Sequence, residues 1–159
     1  MLNGFGKYRR IRYPTETQVE IWYLKRNKLT GKKIAKQKDV TPAFVSKSFV
    51  EAKKRIRSLL NETATSNKIS LDLINENIGF ARGHSHMFNV KSYITFSPKN
   101  GVQVWYDHEG DCVNCERFGQ CRKILLQEFS ERNISLENPQ LRPTDLGKQL
   151  FKILEDRAQ

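Results

Sequence analysis

Three threonines, Thr15, Thr30 and Thr41, divide the N-terminal third of the chain, and each stands directly before a stretch with helical periodicity. A threonine in this place can cap a helix, because its hydroxyl accepts a hydrogen bond from a backbone N–H that has no partner inside the helix. Gln18 completes the capping-box spacing after Thr15, and Pro42 follows Thr41 where a missing N–H is tolerated. The pattern predicts three consecutive helices, and it restricts the fold more than any other feature of the chain.

Apolar residues within these stretches recur every three or four positions, which is typical of helices that bury one side. The first helix is predicted over roughly residues 15–26, and the second is short. The inward residues of these two helices are Ile21, Trp22, Leu24, Ile34 and Ala35. In the third helix the apolar stripe consists of Val45, Phe49, Ala52, Ile56 and Leu60. The three helices are therefore expected to share one small core.

Basic residues are concentrated in the same part of the chain. The first 60 residues contain 16 Lys and Arg against 4 Asp and Glu, a net charge of +12. Residues 61–159 contain 12 basic and 13 acidic residues, a net charge of −1, so the whole chain of 159 residues carries +11. A basic module beside a neutral one indicates a polyanionic partner, most often nucleic acid. The alternative is a three-helix bundle whose basic face is merely solvated.

Spaced residues in this segment agree with one known motif in a single register. They are Gln18, Glu20, Ile21, Leu29, Thr30, Ile34, Ala35, Val40, Thr41, Pro42, Val45, Ser46, Lys47 and Ala52. About a third of the chain thereby resembles the helix-turn-helix of sigma-factor region four, of LuxR-type regulators and of archaeal Tfx-type DNA-binding proteins. Lys28 and Asp39 stand at two turn positions where such proteins usually have glycine.

The resemblance implies that the third helix enters the major groove of DNA. The residues then expected near base edges are Pro42, Ala43, Phe44, Ser46, Lys47 and Val50. The residues expected to contact phosphates, which position a protein without reading sequence, are Thr30, Lys32, Lys33, Lys53 and Arg57. A basic N-terminal arm, residues 1–14, is expected to follow the backbone or a minor groove with Arg9, Arg10 and Arg12.

The second half of the chain is predicted to be a small mixed domain. β-branched and aromatic residues flank Asn100-Gly101, a strong hairpin signal, and the hairpin is expected over roughly residues 91–106. The periodicity of residues 69–80 fits a helix or a strand equally well, and residues 81–89 are interpreted as a loop.

Two further helices are predicted near the C-terminus. The first has an apolar stripe of Ile124, Leu125 and Phe129, and the second is capped by Thr144 and turns Leu146, Leu150, Ile153 and Leu154 inward. The predicted fold class is α+β. A helical helix-turn-helix domain, residues 15–62, precedes a small domain, residues 63–159, which combines the β-hairpin, a metal-binding cysteine cluster and flanking helices.

All three cysteines lie between the hairpin and the next helix, in the pattern His108-x3-Cys112-x2-Cys115-x5-Cys121. Cys-x2-Cys is a common metal-binding spacing, and Cys121 falls at a helix start, where the helix dipole favours thiolate. His108 supplies a fourth donor, and a tetrahedral Cys3His set suits structural zinc. An iron–sulfur cluster is the alternative cofactor.

Other potential donors are weaker candidates for the metal. Asp111 is a weaker candidate ligand, and His84 and His86 form a His-x-His pair in the predicted loop. Three free thiols, some of them buried, are the alternative to any metal site. The acidic and polar residues around the cysteines argue against an apolar setting.

These features predict a sequence-specific DNA-binding transcriptional regulator, acting as a homodimer in the cytoplasm. The odd number of cysteines argues against a disulfide framework, and neither a secretory signal nor a membrane span is expected. A redox- or metal-responsive sensor and an RNA-binding protein are the alternatives. An enzyme is not expected, because the proposed ligands close the metal site and the H-x-E motif of zinc deaminases is absent.

Overall fold

The computed structural model describes residues 13–159, in which five helices and four strands combine into an α+β fold. The helices are α1 (Glu16–Arg26), α2 (Gly31–Lys38), α3 (Pro42–Ser66), α4 (Phe118–Glu131) and α5 (Pro143–Ala158). The strands are β1 (Ile69–Asn75), β2 (Phe80–Ser85), β3 (Val90–Ser97) and β4 (Gly101–Tyr106). Within this described range, none of the helices has the length and apolar character needed to cross a membrane.

The three predicted N-terminal helices and their caps are confirmed. The hydroxyl of Thr15 accepts from the backbone N–H of Gln18 at 3.3 Å, and the Gln18 side chain accepts from the Thr15 N–H at 3.0 Å. The hydroxyls of Thr30 and Thr41 accept in the same way at the starts of α2 and α3. Local sequence signals therefore suffice to place these helix starts.

The four strands form one antiparallel sheet in the order β1-β2-β3-β4. The hairpin expected around Asn100-Gly101 is confirmed as β3 and β4, and the ambiguous segment after residue 68 begins with strand β1. The interpretation of residues 81–89 as a loop is wrong, because Ala81–Ser85 belongs to β2. The buried positions Ala81, Gly83 and Ser85 do alternate with Arg82 and His84, but their side chains are small or polar, so the sequence shows no alternation of large apolar and polar residues.

The sheet lies between two helical layers. On one face, Ala81, Ile94 and Phe96 pack with Trp22 of α1 and with buried residues of α3 such as Ile56. On the other face, Phe80 and Tyr93 pack with α4 and α5 through Leu125, Leu150, Phe151 and Leu154. A separate small core of Ile21, Ile34, Ala35 and Val45 holds α2 against α1 and α3.

Strand β1 has an irregular register, and its apolar side chains contact the cores on both faces of the sheet. The register shifts between Leu71 and Leu73, so Leu71 and Ile74 contact the core under α3 whereas Leu73 contacts the core under α5. In a regular strand Leu71 and Leu73 would share one face, and the extra residue of the bulge places them on opposite faces. The strand therefore lacks the period of two by which a strand is recognised in a sequence.

Helix α3 continues through the segment that was interpreted as a domain boundary. It ends at Ser66, and the core on its side of the sheet combines Ile56, Leu60 and Ala64 with Ile69 and Ile94. The predicted division near residue 62 thus falls inside a helix and inside a shared core.

Polar contacts of Arg132 and Arg26 join the end of α4 to both halves of the chain. The Arg132 guanidinium lies 2.9 Å from the Glu128 carboxylate, with both side chains almost fully buried, and it donates to the carbonyls of Gly79 and Phe96. Arg26 of α1 donates to the backbone carbonyl of Glu131 at 2.8 Å. Burial, and next the positive charge of Arg132, lower the pKa of Arg26 to about 10. The end of α4 is therefore fixed to the sheet turns and to α1 by polar contacts.

Candidate functional site

The N-terminal part of α3 presents one exposed face to solvent. The exposed residues are the six that were predicted to lie near base edges, namely Pro42, Ala43, Phe44, Ser46, Lys47 and Val50, and we call them the α3 face. The side chain of Phe44 is 44% exposed and that of Val50 is 58% exposed. Two large apolar side chains exposed on one side of a helix make this face a candidate binding surface.

The residues predicted to contact phosphates around the α3 face differ in their exposure and in the contacts that they already make within the chain. Thr30, Lys32 and Lys33 are exposed at the start of α2, although the Thr30 hydroxyl also caps that helix. The Lys53 ammonium lies 4.6 Å from the ring centroid of Phe49. The Arg57 guanidinium lies 2.9 Å from the Glu76 carboxylate, so this ion pair partly neutralises its charge. The predicted arm contacts, Arg9, Arg10 and Arg12, lie outside the described residues.

The turn before α3 contains a residue with a left-handed backbone. Asp39 has φ of 51° and ends α2. Val40 contacts the small core between the helices, and its N–H donates to the carbonyl of Ala35 at 3.0 Å. The three helices are thereby held with the start of α3 projecting outward.

A second candidate site is a cavity of about 680 Å³ on the opposite face of the sheet. Strands β3 and β4, the loop of residues 107–117, the first half of α4 and one face of α5 line it. All four predicted metal ligands, His108, Cys112, Cys115 and Cys121, are among the lining residues, and we call this space the cysteine-lined cavity.

The three cysteines lie in different environments within this cavity. Cys112 is buried and its thiol contacts the hydroxyl of Thr144 at 3.5 Å, Cys115 is exposed, and Cys121 is half-buried. Burial raises the pKa of the Cys121 thiol, and the charges of Cys115 and Cys112 raise it further.

The side chains are not arranged as a formed metal site. Within residues 13–159, no group of three or more His, Cys, Asp and Glu side chains converges closely enough to hold a metal ion. The carboxylate of Asp111 instead accepts hydrogen bonds from Val113 and Asn114. The donor types fit zinc and share one cavity, but their present geometry would have to close around the ion.

The His-x-His pair lies away from the lining of the cavity. His84 is in β2 and contacts the Asn89 side chain at 3.0 Å, and His86 contacts the Ser70 hydroxyl at 2.6 Å. Both rings are exposed, with centroids 5.6 Å apart. Both imidazoles therefore have hydrogen-bond partners within the chain, apart from the cysteines.

Sequence reasoning missed the contribution of α5 to the cavity. Thr144, Lys148, Phe151, Lys152 and Glu155 all line it from that helix. Thr144 was interpreted as a cap, which is wrong, because α5 begins at Pro143 after Arg142 and has no side-chain cap. The three- and four-residue spacing of these five residues was the available signal, but polar helix faces are usually solvated.

Comparisons with protein-family models, with curated proteins and with solved structures found no significant match to this chain.

Proposed function

We propose that this protein is a sequence-specific DNA-binding transcriptional regulator. The observation that carries the proposal is the α3 face, on which exposed Phe44 and Val50 accompany Ser46 and Lys47 in the basic part of the chain. A lysine can donate to guanine in the major groove, and an apolar side chain can contact the methyl group of thymine. The face thus offers the two kinds of contact that distinguish base pairs.

The charges around the α3 face support a nucleic-acid partner. Lys32, Lys33 and Lys47 have no ion pair within the described residues. They can therefore neutralise phosphates, and each neutralised phosphate releases counterions and makes binding dependent on salt. A homodimer would place two α3 faces on adjacent half-sites about one helical turn apart.

The test is selection of bound duplexes from a random-sequence DNA library by the full-length protein. We expect one enriched motif, and we expect tighter binding to it than to a scrambled duplex of the same composition. An RNA duplex of the enriched sequence serves as a competitor. Failure to enrich any sequence would contradict sequence-specific recognition, and stronger competition by RNA would favour the alternative RNA-binding function.

We also propose that Cys112, Cys115, Cys121 and His108 hold one zinc ion. Support comes from their ligand spacing and from their position around one cavity. Zinc would join the loop of residues 107–117 to α4. It would also stabilise the fold, because the four ligands come together only in the folded chain, so the metal binds the folded chain in preference to the unfolded one. Mass spectrometry of the native protein counts the metal directly, and iron with sulfide would indicate the iron–sulfur alternative and favour a redox sensor.

A further inference from the structure

The cysteine-lined cavity has an aromatic wall that plays no part in the proposed zinc site. The rings of Tyr93 and Phe151 stack with centroids 4.3 Å apart and planes inclined by 15°, and Trp105 lies 5.9 Å from Phe151. The Trp105 indole N–H donates to the Thr95 hydroxyl at 3.0 Å, which fixes the orientation of the ring. Tyr93 and Phe151 are only 8% and 7% exposed, so the half-buried ring of Trp105 is the part of this wall that is open to the cavity as a surface for a flat apolar group.

Two lysines line the same cavity from α5. Lys148 and Lys152 are exposed and stand one helical turn apart. Lys148 pairs with Glu109 at 2.9 Å, but the Glu109 side chain is 91% exposed, and such a pair is easily exchanged for another anion. Lys152 has no ion pair in the part of the chain that the structure describes.

The acidic residues of the cavity do not cancel these charges. Glu155 is the half-buried acid of the lining, and its carboxylate lies 2.6 Å from the Lys91 ammonium and 3.5 Å from the Arg82 guanidinium. Asp107 is exposed to water, which screens it. The lining therefore combines a flat apolar wall with cations that can accept a new anionic partner.

We propose that the cavity binds a planar aromatic carboxylate, with its ring against Trp105 and its carboxylate between Lys148 and Lys152. The cavity volume of about 680 Å³ lies within the range of small-molecule sites. The role of such a ligand as an effector rests on the proposed DNA-binding function. Its binding to the cavity does not depend on that function. The ligand would contact α5, which packs against α4 through Leu125, Phe129 and Leu150, and the far end of α4 is fixed to α1 through Arg26.

Calorimetric titration with naphthalene-2-carboxylate and naphthalene-2-carboxamide tests the proposal, because the two probes share one ring system and differ in charge. We expect the carboxylate to bind more tightly than the carboxamide. The double variant Lys148→Gln, Lys152→Gln is expected to weaken carboxylate binding about five- to tenfold and to leave carboxamide binding unchanged. The control Lys99→Gln, Lys123→Gln makes the same change in net charge outside the cavity and is expected to bind both probes like the parent protein.

Tryptophan emission locates the bound probe. Quenching by the carboxylate is expected in the parent protein and is expected to disappear in Trp105→Phe, since Trp22 is buried in the core on the other face of the sheet. Equal affinities of the two probes, or equal losses in both lysine variants, would overturn the proposal. The titration contains no DNA, so failure to bind the carboxylate and failure to bind DNA are separate results.

Discussion

Lys28 and Asp39 show how residues other than glycine can adopt a left-handed backbone. Both have positive φ, 65° for Lys28 and 51° for Asp39. Aspartate tolerates this conformation through its short polar side chain, whereas lysine has no such compensation. The sequence identified both as positions where glycine is usual, and the structure supplies the reason.

Replacing Lys28 by glycine is expected to raise the free energy of unfolding by about 0.5–1 kcal/mol. Glycine adopts positive φ without a Cβ clash, and that gain exceeds its larger loss of backbone entropy on folding. Urea denaturation monitored by circular dichroism measures the change. The control Lys36→Gly, inside α2, is expected to destabilise by about 1 kcal/mol, and a similar loss in Lys28→Gly would contradict the argument.

Substitution of Cys115 distinguishes a metal site from a set of free thiols. Its side chain is exposed, so Cys115→Ser is expected to leave a metal-free protein almost unchanged in stability. If zinc is bound, the same change removes a ligand, and we expect loss of the metal together with a lower melting temperature. His108→Ala is expected to act in the same direction but more weakly, because water or Asp111 can replace the imidazole. A protein that is isolated without metal, folds stably and does not respond to chelator would exclude the site.

At the scale of elements, the helices were predictable and half of the sheet was not. The caps at Thr15, Thr30 and Thr41 and the Asn100-Gly101 turn are local signals, and each led to the correct element. Strands β1 and β2 give no such signal, because each is partly buried on both faces and β1 also changes register. The α3 face was identified for the same local reason, whereas the shape of the cavity depends on α5 meeting β4 in space.

The buried pair at the end of α4 gives a second test of the element packing. Glu128→Gln is expected to lower the free energy of unfolding by about 3 kcal/mol, because it leaves the buried Arg132 charge without its carboxylate. Chemical denaturation measures this loss. Asp145→Asn breaks the exposed pair with Arg142 and is expected to change stability little. Equal effects of the two substitutions would show that the buried pair does not hold α4 in place.

At the scale of the whole molecule, the helical part that carries the α3 face shares its core with the sheet. Trp22 of α1 packs edge-on to Phe96 of β3, and its indole N–H donates to the carbonyl of Glu76 at 2.9 Å. The sequence suggested two domains because charge and composition change near residue 62. Such changes mark surfaces, and a continuous core beneath them cannot be inferred from composition.

The shared core predicts that the two ends of the chain unfold together. Trp22 lies in the core under α3, and Trp105 borders the core under α5, so each reports on one face of the sheet. We expect the single-tryptophan variants Trp22→Phe and Trp105→Phe each to give the same denaturation midpoint by fluorescence as by circular dichroism. Separate midpoints for the two probes within one variant would indicate that the N-terminal helices form an independent domain.

The central claim is that the α3 face reads DNA sequence, and the response of Lys47→Ala to two duplexes tests it most directly. The affinity of the full-length variant is measured for the selected duplex and for its scrambled counterpart. We expect a loss of about 1–3 kcal/mol on the selected duplex and a much smaller loss on the scrambled one. Lys33→Ala, at the start of α2, is expected to weaken both by similar amounts. Equal losses for Lys47→Ala would make it a phosphate contact, and no loss on either duplex would contradict the assignment of this face to DNA.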